Sequence, residues 1–200
     1  MNPQIHADLS AVASKARRLD PRPKSCDGAG RSTEIGLSLG SNLGERLANL
    51  KLAKSKIAAL PGTQIAAVSP VYETEPVNVQ PEFSEEYFLN SVLIVESELD
   101  LHELSSLLHA IEKDLGRARN ADNRNAPRII DIDIIYAGRI SIKDKKIEIP
   151  HPRWKERRFV VQPLADIRPD LQVPGDDCTV NEVLLSLPPN PKVTIFVQDW

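Results

Sequence analysis

Apolar residues from residue 34 onward alternate first with the period of a strand and then with that of a helix. Ile35, Leu37 and Leu39 occupy every second position, which is typical of a strand with one buried face. Gly40-Ser41-Asn42 follows, and Ser and Asn are residues that favour a helix N-cap. The next apolar positions have helical spacing up to Pro61-Gly62, and they are Leu47, Leu50, Ala53, Ile57 and Leu60. The pattern predicts a strand, a turn and a helix.

Three more strands and a second helix are predicted downstream. The strands cover residues 65–72, 88–96 and 129–136. The helix runs from about Asp100 to a glycine stop at Gly116, and its apolar stripe is Leu101, Leu104, Leu108, Ile111 and Leu115. The order βαββαβ predicts an α+β fold with a ferredoxin-like core, in which the helices cover one face of a mostly antiparallel sheet. Residues 138–200 add a C-terminal extension of short helices and strands, with a last apolar run at 193–197.

The N-terminal segment has neither periodicity. It mixes basic residues with Asp8, Asp20 and Asp27, and prolines and glycines interrupt it. The aspartates and the missing apolar face argue against an import peptide, and a long or misassigned start is the simpler explanation. We expect residues 1–32 to be a disordered extension and residues 33–200 to form the functional domain.

Composition excludes several classes of protein. The chain has 200 residues, a formal net charge of −3 and 41% hydrophobic residues, which suits one globular domain and gives no strong field for nucleic acid or anionic membranes. No apolar run approaches the roughly 20 residues of a membrane-spanning helix. Cys26 and Cys178 fit neither a disulfide framework nor a zinc site. We therefore expect a cytoplasmic protein that binds neither nucleic acid nor membrane. We also expect it to be a monomer.

Two aspartates stand inside the most apolar predicted strand. In residues 129–136, Asp131 and Asp133 alternate with Ile130, Ile132 and Ile134, so both carboxylates point to the same face. Two like charges side by side are costly unless a cation neutralises them, and carboxylate oxygens are ligands that Mg²⁺ prefers. The pair indicates a magnesium site, although from the strand alone a solvated pair of aspartates is equally compatible.

Basic residues cluster on both sides of this strand. They are Arg117, Arg119, Arg124 and Arg128 before it, and His151, Arg153, Lys155, Arg157 and Arg158 after it. Guanidinium groups bind phosphate oxygens bidentately, and a metal held by carboxylates bridges neighbouring phosphates. Together the acids and the arginines favour phosphoryl-type transfer.

Residues 124–135 resemble the signature of the 6-hydroxymethyl-7,8-dihydropterin pyrophosphokinase family, which transfers pyrophosphate from ATP to a pterin alcohol. The resemblance covers roughly residues 33–198. It extends to four further motifs, which are Gly40-Ser41-Asn42-Leu43-Gly44, Val71-Tyr72-Glu73-Thr74-Glu75-Pro76, Phe88-Leu89-Asn90 and Pro150-His151-Pro152-Arg153 with Arg157 and Phe159.

The resemblance implies a catalytic and nucleotide-binding set. Asp131 and Asp133 would hold two Mg²⁺ ions that bridge the phosphates of the co-substrate ATP and the pterin hydroxymethyl oxygen. Arg117 and Arg119 would close over the nucleotide as catalytic residues. The residues expected to contact ATP are His109, Glu112, Arg128, His151 and Arg157.

The resemblance also implies a pterin-binding set. Asn90 would read the heterocycle through its amide, with main-chain groups around Thr74 and Val77. Phe159 matches the stacking aromatic, and Phe88 stands where the family often has tyrosine. Asn125 stands where the family often has tryptophan, in a loop that is one residue longer.

Two alternatives use other features of the chain. Residues 36–40 fit the G-x-S-x-G pattern of serine hydrolases, but Ser38 lies inside a predicted strand instead of at a strand-to-helix turn. A ferredoxin-like module that binds RNA is the second alternative. The acidic net charge and the missing pair of strand aromatics argue against it.

Overall fold

The computed structural model of the protein describes residues 32–76, 86–116 and 127–200. Its first elements are β1 (Thr33–Ser41), α1 (Arg46–Ala58), β2 (Thr63–Val68), β3 (Val71–Thr74), β4 (Phe88–Ser97) and α2 (Leu101–Asp114). The C-terminal half contains β5 (Asp131–Ala137), β6 (Ile142–Lys143), β7 (Glu148–Ile149), a 3-10 turn at Trp154–Glu156, α3 (Arg158–Ile167), α4 (Val180–Ser186) and β8 (Val193–Val197). Most of the predicted extension, residues 1–31, lies outside the described residues. The predicted α+β class is confirmed.

Within the described ranges, the main sheet has the strand order β5-β1-β4-β3-β8, and β2 also pairs with β4. Every pairing in this sheet is antiparallel. Strand β1 pairs along its whole length with β4 on one side, and over residues 35–40 it pairs with β5 on the other. The C-terminal end of β1 and the N-terminal ends of β4 and β5 therefore lie side by side at one end of the sheet.

Both faces of the sheet are covered, whereas the sequence pattern predicted helices on only one. Helices α1 and α2 pack on the face that carries Leu37, Leu93 and Val95. Trp154 and helices α3 and α4 pack on the opposite face, against Val92 and Ile94 of β4. Strand β4 is apolar on both faces because it is a central strand with two cores. The C-terminal extension supplies the second layer, and this layer also carries predicted site residues.

The prediction of one continuous strand over residues 65–72 is wrong, because the segment contains the end of β2 and the beginning of β3. The break falls at Ser69 and Pro70, where proline has no N–H group for the ladder. The Ser69 hydroxyl accepts a hydrogen bond from the Val92 N–H group at 2.9 Å and contacts the Ser91 hydroxyl at 2.9 Å. The Ser69 N–H group also donates to the Val92 carbonyl at 3.0 Å, so Ser69 remains bound to β4 through both its side chain and its backbone where the ladder is interrupted.

The predicted capping role of Ser41 and Asn42 is also wrong. Helix α1 begins at Arg46, Ser41 still belongs to β1, and Glu45 at the N-cap position makes no side-chain capping bond. Helix α2 matches its prediction, since it begins directly after Asp100 and is followed by Gly116 with a φ of 95°. In the described part of the chain, no helix is both long enough and apolar enough to cross a membrane.

Candidate active site

Asp131 and Asp133 lie at the beginning of β5, next to the end of β1. Asp131 is paired with Gly40 and Asp133 with Ser38. Ile130 and Ile132 are buried in the core beneath α1 and α2. Since alternate residues of a strand point to opposite faces, the two carboxylates point to the other face of the sheet. The alternation predicted from the sequence is confirmed.

A β-bulge ends this alternation after the aspartates. Ile134 is paired with Leu37, but Tyr136 is paired with Gly36, so Ile135 is the extra residue. Ile135 and Tyr136 both pack into the core beneath α3 and α4. The side chains of Ile135 and Tyr136 therefore form the apolar boundary of the polar surface next to Asp133.

Each aspartate faces a guanidinium group. Arg128 Nη1 lies 2.6 Å from Asp131 Oδ2, and Arg157 Nη1 lies 3.7 Å from Asp133 Oδ2. These cations offset the repulsion between the two carboxylates. Arg157 is itself half-buried, and burial together with the nearby Arg153 charge lowers its pKa.

His151 joins this group as a neutral side chain. Its backbone N–H donates to the Ile135 carbonyl at 2.8 Å, and its Nδ1 accepts from the backbone N–H of Arg153 at 3.1 Å. Burial, with the charges of Arg157 and Arg153, lowers the pKa of His151 to about 4. Its Nε2 lies 3.5 Å from Arg157 Nη1, so the imidazole and the guanidinium group are neighbours on this surface.

One small cavity connects these side chains. It has a volume of about 10 Å³, and its walls include Ser38, Asp133, His151, Trp154 and Arg157. The structure thus brings together the predicted site residues Asp133 of β5 and His151 and Arg157, which follow β7. Ser38 lies inside β1, so the strand position that argued against a hydrolase elbow is confirmed.

Asn90 and Thr74 form a second polar group on neighbouring strands. Asn90 Nδ2 donates to Thr74 Oγ1 at 2.8 Å, and both residues are buried. Asn90 is paired with Gly40 on one side and with Tyr72 on the other. Phe88 is half-buried and is paired with Thr74.

A single row of residues crosses the sheet and connects the two groups. Asp131 pairs with Gly40, and Gly40 pairs with Asn90. Directly paired residues share a face, and strands are about 4.8 Å apart, so Asp131 and Asn90 lie on one face about 10 Å apart. Gly40 between them has no side chain, which leaves an open floor. The sequence pattern did not predict this, because it depends on register between three strands.

The remaining predicted residues have different surroundings. Phe159 packs partly against the core of α3 and α4, and the Arg157 guanidinium lies 5.7 Å from its ring centre. Glu112 is buried, and its Oε1 accepts from the Ile132 N–H group at 2.8 Å. His109 is exposed on α2. Val77, Arg117, Arg119 and Asn125 lie outside the described residues.

Asn42 contacts the site although the sequence pattern assigned it only a cap. Its Oδ1 accepts from the backbone N–H of Arg128 at 2.6 Å, and its own N–H donates to the Arg128 carbonyl at 3.1 Å. The family motif at residues 40–44 was the available signal, but nothing in residue spacing connects Asn42 to residue 128.

A larger cavity of about 300 Å³ lies elsewhere, near the beginning of α1. Its described walls are Asn42, Gly44, Arg46, Glu73, Glu86 and Tyr87. Arg46 there is already bound to Glu73 at 2.9 Å and to the Tyr87 carbonyl at 2.8 Å. Size alone therefore does not identify the site, and the charged groups around Asp131 are the better guide.

Among the residues that the structure describes, no three His, Cys, Asp or Glu side chains form a group suited to a metal ion. Asp131 and Asp133 share one face of β5 and are the candidate metal ligands. Paired carboxylates flanked by arginines and a neutral histidine are suited to an enzyme that acts on a polyphosphate.

Comparison with known proteins gives the family. The model of the 7,8-dihydro-6-hydroxymethylpterin-pyrophosphokinase family matches residues 36–169. The 2-amino-4-hydroxy-6-hydroxymethyldihydropteridine pyrophosphokinase of Methylorubrum extorquens is 38% identical over 158 residues, which are 79% of this chain and 96% of that protein. The protein with the same description from Pseudomonas aeruginosa is 36% identical over 154 residues, covering 76% of this chain and 90% of that protein.

Solved structures agree on the fold. A Plasmodium falciparum HPPK-DHPS structure with pterin and p-hydroxybenzoate matches 80% of this chain with a TM-score of 0.59 and 16% identity. This chain spans 44% of that longer protein. The chain belongs to the 7,8-dihydro-6-hydroxymethylpterin-pyrophosphokinase family. It is a transferase of the diphosphokinase type, with ATP as co-substrate.

Proposed function

We propose that the row Asp131, Gly40 and Asn90 is the floor of the active site of this chain. Family membership assigns the reaction, which transfers pyrophosphate from ATP to 6-hydroxymethyl-7,8-dihydropterin in folate biosynthesis. The products are AMP and the pterin diphosphate. The single observation that supports the location is the cross-strand register, which puts a carboxylate pair and a buried amide on one face with a glycine between them.

Asp131 and Asp133 are the proposed magnesium ligands. Two hard carboxylate donors share one face and are accessible to solvent, with side-chain exposures of 24% and 42%. Mg²⁺ is commonly bound by one or two carboxylates, with water and phosphate oxygens as its other ligands, so this donor set fits the ion. When bound, magnesium neutralises charge on the phosphates and polarises them. We propose two ions, as the family resemblance implies.

Arg128, His151 and Arg157 are the proposed phosphate contacts. Both guanidinium groups lie beside the carboxylates, and the neutral His151 imidazole lies next to Arg157. Donors fixed before the substrate arrives stabilise the charge that develops during transfer without reorganisation. His109 and Glu112 remain proposed contacts on the nucleotide side.

Arg117 and Arg119 remain proposals from the family resemblance. We propose that they close over the nucleotide as catalytic residues.

Asn90 and Thr74 are the proposed pterin contacts, with Phe88, Phe159 and Val77. The bond from Asn90 to Thr74 fixes the orientation of the amide, which leaves its carbonyl oxygen available as an acceptor for the flat edge of the heterocycle. Phe88 and Phe159 are partly exposed aromatic rings suited to stacking.

The reaction requires little covalent chemistry from the protein. The pterin hydroxymethyl oxygen attacks the β-phosphorus of ATP, the bond from that phosphorus to the oxygen bridging the α-phosphorus breaks, and AMP leaves. The hydroxymethyl proton passes to water. The side chains described here orient the two substrates and offset negative charge, which is the main protein contribution in phosphoryl-type transfer.

We propose that the core is ferredoxin-like, which the strand order β5-β1-β4 with antiparallel pairing supports. We propose that residues 33–200 are the functional domain and residues 1–32 an extension. We further propose a cytoplasmic monomer that binds neither nucleic acid nor membrane.

The identity of the nucleotide product tests the proposed function. The purified chain is mixed with ATP, magnesium and the pterin alcohol, and the nucleotides are separated. We expect AMP, in amounts equal to pterin diphosphate, only when the pterin is present. Formation of ADP, or of neither nucleotide, would contradict the proposal.

A further inference from the structure

The segment that leads into β5 is held by a side chain from another element. Asn42 follows β1, and it binds the backbone of Arg128 twice, through Oδ1 to the Arg128 N–H at 2.6 Å and through its own N–H to the Arg128 carbonyl at 3.1 Å. Asn42 is buried, with 3% exposure. The peptide groups on both sides of Arg128 are therefore fixed by one residue.

Glu112 holds the same segment further along. Its buried carboxylate accepts from the N–H group of Ile132, the residue between the two aspartates. In the described sheet, β5 is an edge strand with β1 as its only sheet neighbour. Hydrogen bonds to Asn42 and Glu112 therefore supplement the backbone hydrogen bonds between β1 and β5 near Asp131, the first residue of β5.

We propose that Asn42 is a positioning residue for the reaction, acting through the backbone of Arg128. This inference rests on the proposed function of Asp131 and Arg128. Asp131 is three residues after Arg128, and the Arg128 Nη1 atom lies 2.6 Å from the Asp131 Oδ2 atom. A shift of the Arg128 backbone would therefore move both the guanidinium group and the carboxylate. Small displacements of metal ligands and phosphate contacts reduce turnover strongly, because the reacting groups lose their alignment.

The chemistry of the asparagine side chain explains why this residue type suits the position. Its carbonyl oxygen replaces a backbone acceptor for the Arg128 N–H group, where regular strand pairing has not yet begun. An apolar side chain would leave that N–H group without this acceptor, which is costly in a partly buried place. Aspartate has a side chain of the same length and would retain the oxygen acceptor.

Three variants test the inference. Asn42→Ala removes the acceptor, Asn42→Asp retains it, and Ser97→Ala is the matched control. Ser97 is buried, its hydroxyl contacts the Thr63 hydroxyl at 2.9 Å, and it lies at the opposite end of β4 from Asn90. For each variant, kcat, the KM values for ATP and pterin, the magnesium concentration for half-maximal rate and the melting temperature are measured.

We expect Asn42→Ala to lower kcat by about 10- to 100-fold and to raise the magnesium concentration for half-maximal rate, as is typical when the support of a metal ligand is removed. The KM for pterin should stay near the wild-type value, because Asn90 and Thr74 are on other strands. Asn42→Asp should recover part of the loss in kcat, since it retains the acceptor oxygen but places a negative charge at a buried position. Ser97→Ala should lower the melting temperature and leave the kinetic constants and the magnesium dependence unchanged.

Equal kinetic constants and magnesium dependence in Asn42→Ala and Ser97→Ala would overturn the inference. A loss that Asn42→Asp does not even partly recover would overturn it as well, because the effect would not depend on the acceptor oxygen. If Asn42→Ala does not fold, Asn42→Ser replaces it, since the shorter hydroxyl does not reach the Arg128 N–H. Failure of the wild-type chain to form AMP would instead contradict the proposed function.

Discussion

Gly40 lies directly opposite Asn90, and a Cβ atom at Gly40 would lie 3.1 Å from the Oδ1 atom of Asn90. This distance is shorter than ordinary contact, so any side chain at residue 40 would displace the amide. The amide is held in turn by its bond to Thr74. The absence of a side chain at residue 40 therefore matters to the proposed pterin contact and not only to the strand.

We predict that Gly40→Ala raises the KM for pterin by roughly tenfold, because Asn90 must shift by a few tenths of an ångström. The KM for ATP should change much less, since the phosphate contacts lie on other elements. Steady-state kinetics with each substrate varied in turn measures both constants. An unchanged KM for pterin would argue against Asn90 as a pterin contact.

Gly36→Ala in the same strand should affect stability instead. A Cβ atom at Gly36 would overlap the Tyr136 ring, whose hydroxyl donates to Glu34 at 2.7 Å. We expect the free energy of unfolding to fall by about 1–3 kcal/mol, as for other overpacked cores. Urea unfolding measures this, and the KM values of the folded protein should stay at wild-type levels. A change in KM for pterin as large as that of Gly40→Ala would contradict the separate roles of the two glycines.

These two glycines show what the sequence could and could not predict. Local alternation was enough to predict that Asp131 and Asp133 share a face, because that property depends on one strand. The place of Gly40 between Asp131 and Asn90 depends on the register of three strands that are distant in sequence. The break at Ser69 and Pro70 was missed for a related reason, since the Ser69 side chain replaces part of the backbone pairing.

Arg157→Lys should weaken ATP binding. A lysine retains the charge, but it loses the planar group that lies near both Asp133 and the Phe159 ring and that can bind a phosphate through two N–H groups. We expect an increase of about tenfold in the KM for ATP, equivalent to losing one charge-assisted hydrogen bond.

Arg158→Lys is the matched control for this prediction. The Arg158 guanidinium donates to the carbonyls of Leu187 and Pro188, each at 3.2 Å, so it supports the end of α4. Its replacement should leave the KM for ATP unchanged. The account of Arg157 as a phosphate contact would be wrong if the two lysine variants had the same KM.

His151 should make stability depend on pH in a defined range. Burial and the charges of Arg157 and Arg153 lower its pKa from 6.5 to about 4, so the unfolded chain binds this proton more tightly than the folded chain. The stability associated with the neutral imidazole is therefore fully present above pH 6.5 and is lost as the pH falls towards about 4.

Comparison with His151→Gln isolates this contribution from that of the carboxyl groups. Urea unfolding at several pH values gives the free energy of unfolding of both proteins. We expect the wild-type value to fall relative to the variant as the pH decreases from 6.5 to 4, with a constant difference above that range. A difference that grows in favour of the wild type at low pH would mean that the imidazole is charged in the folded state.

The role of the aspartate pair is the central claim, and Asp133→Asn tests it most directly. The substitution retains the size and removes the charge beside Arg157, so we expect the melting temperature and the fold to change little. AMP formation from ATP and the pterin alcohol is measured for both proteins at saturating substrate and a range of magnesium concentrations. We predict that the variant forms AMP at least about 1,000-fold more slowly than the wild type, because charge stabilisation in the transition state is lost. A folded Asp133→Asn variant with wild-type turnover and magnesium dependence would contradict the account.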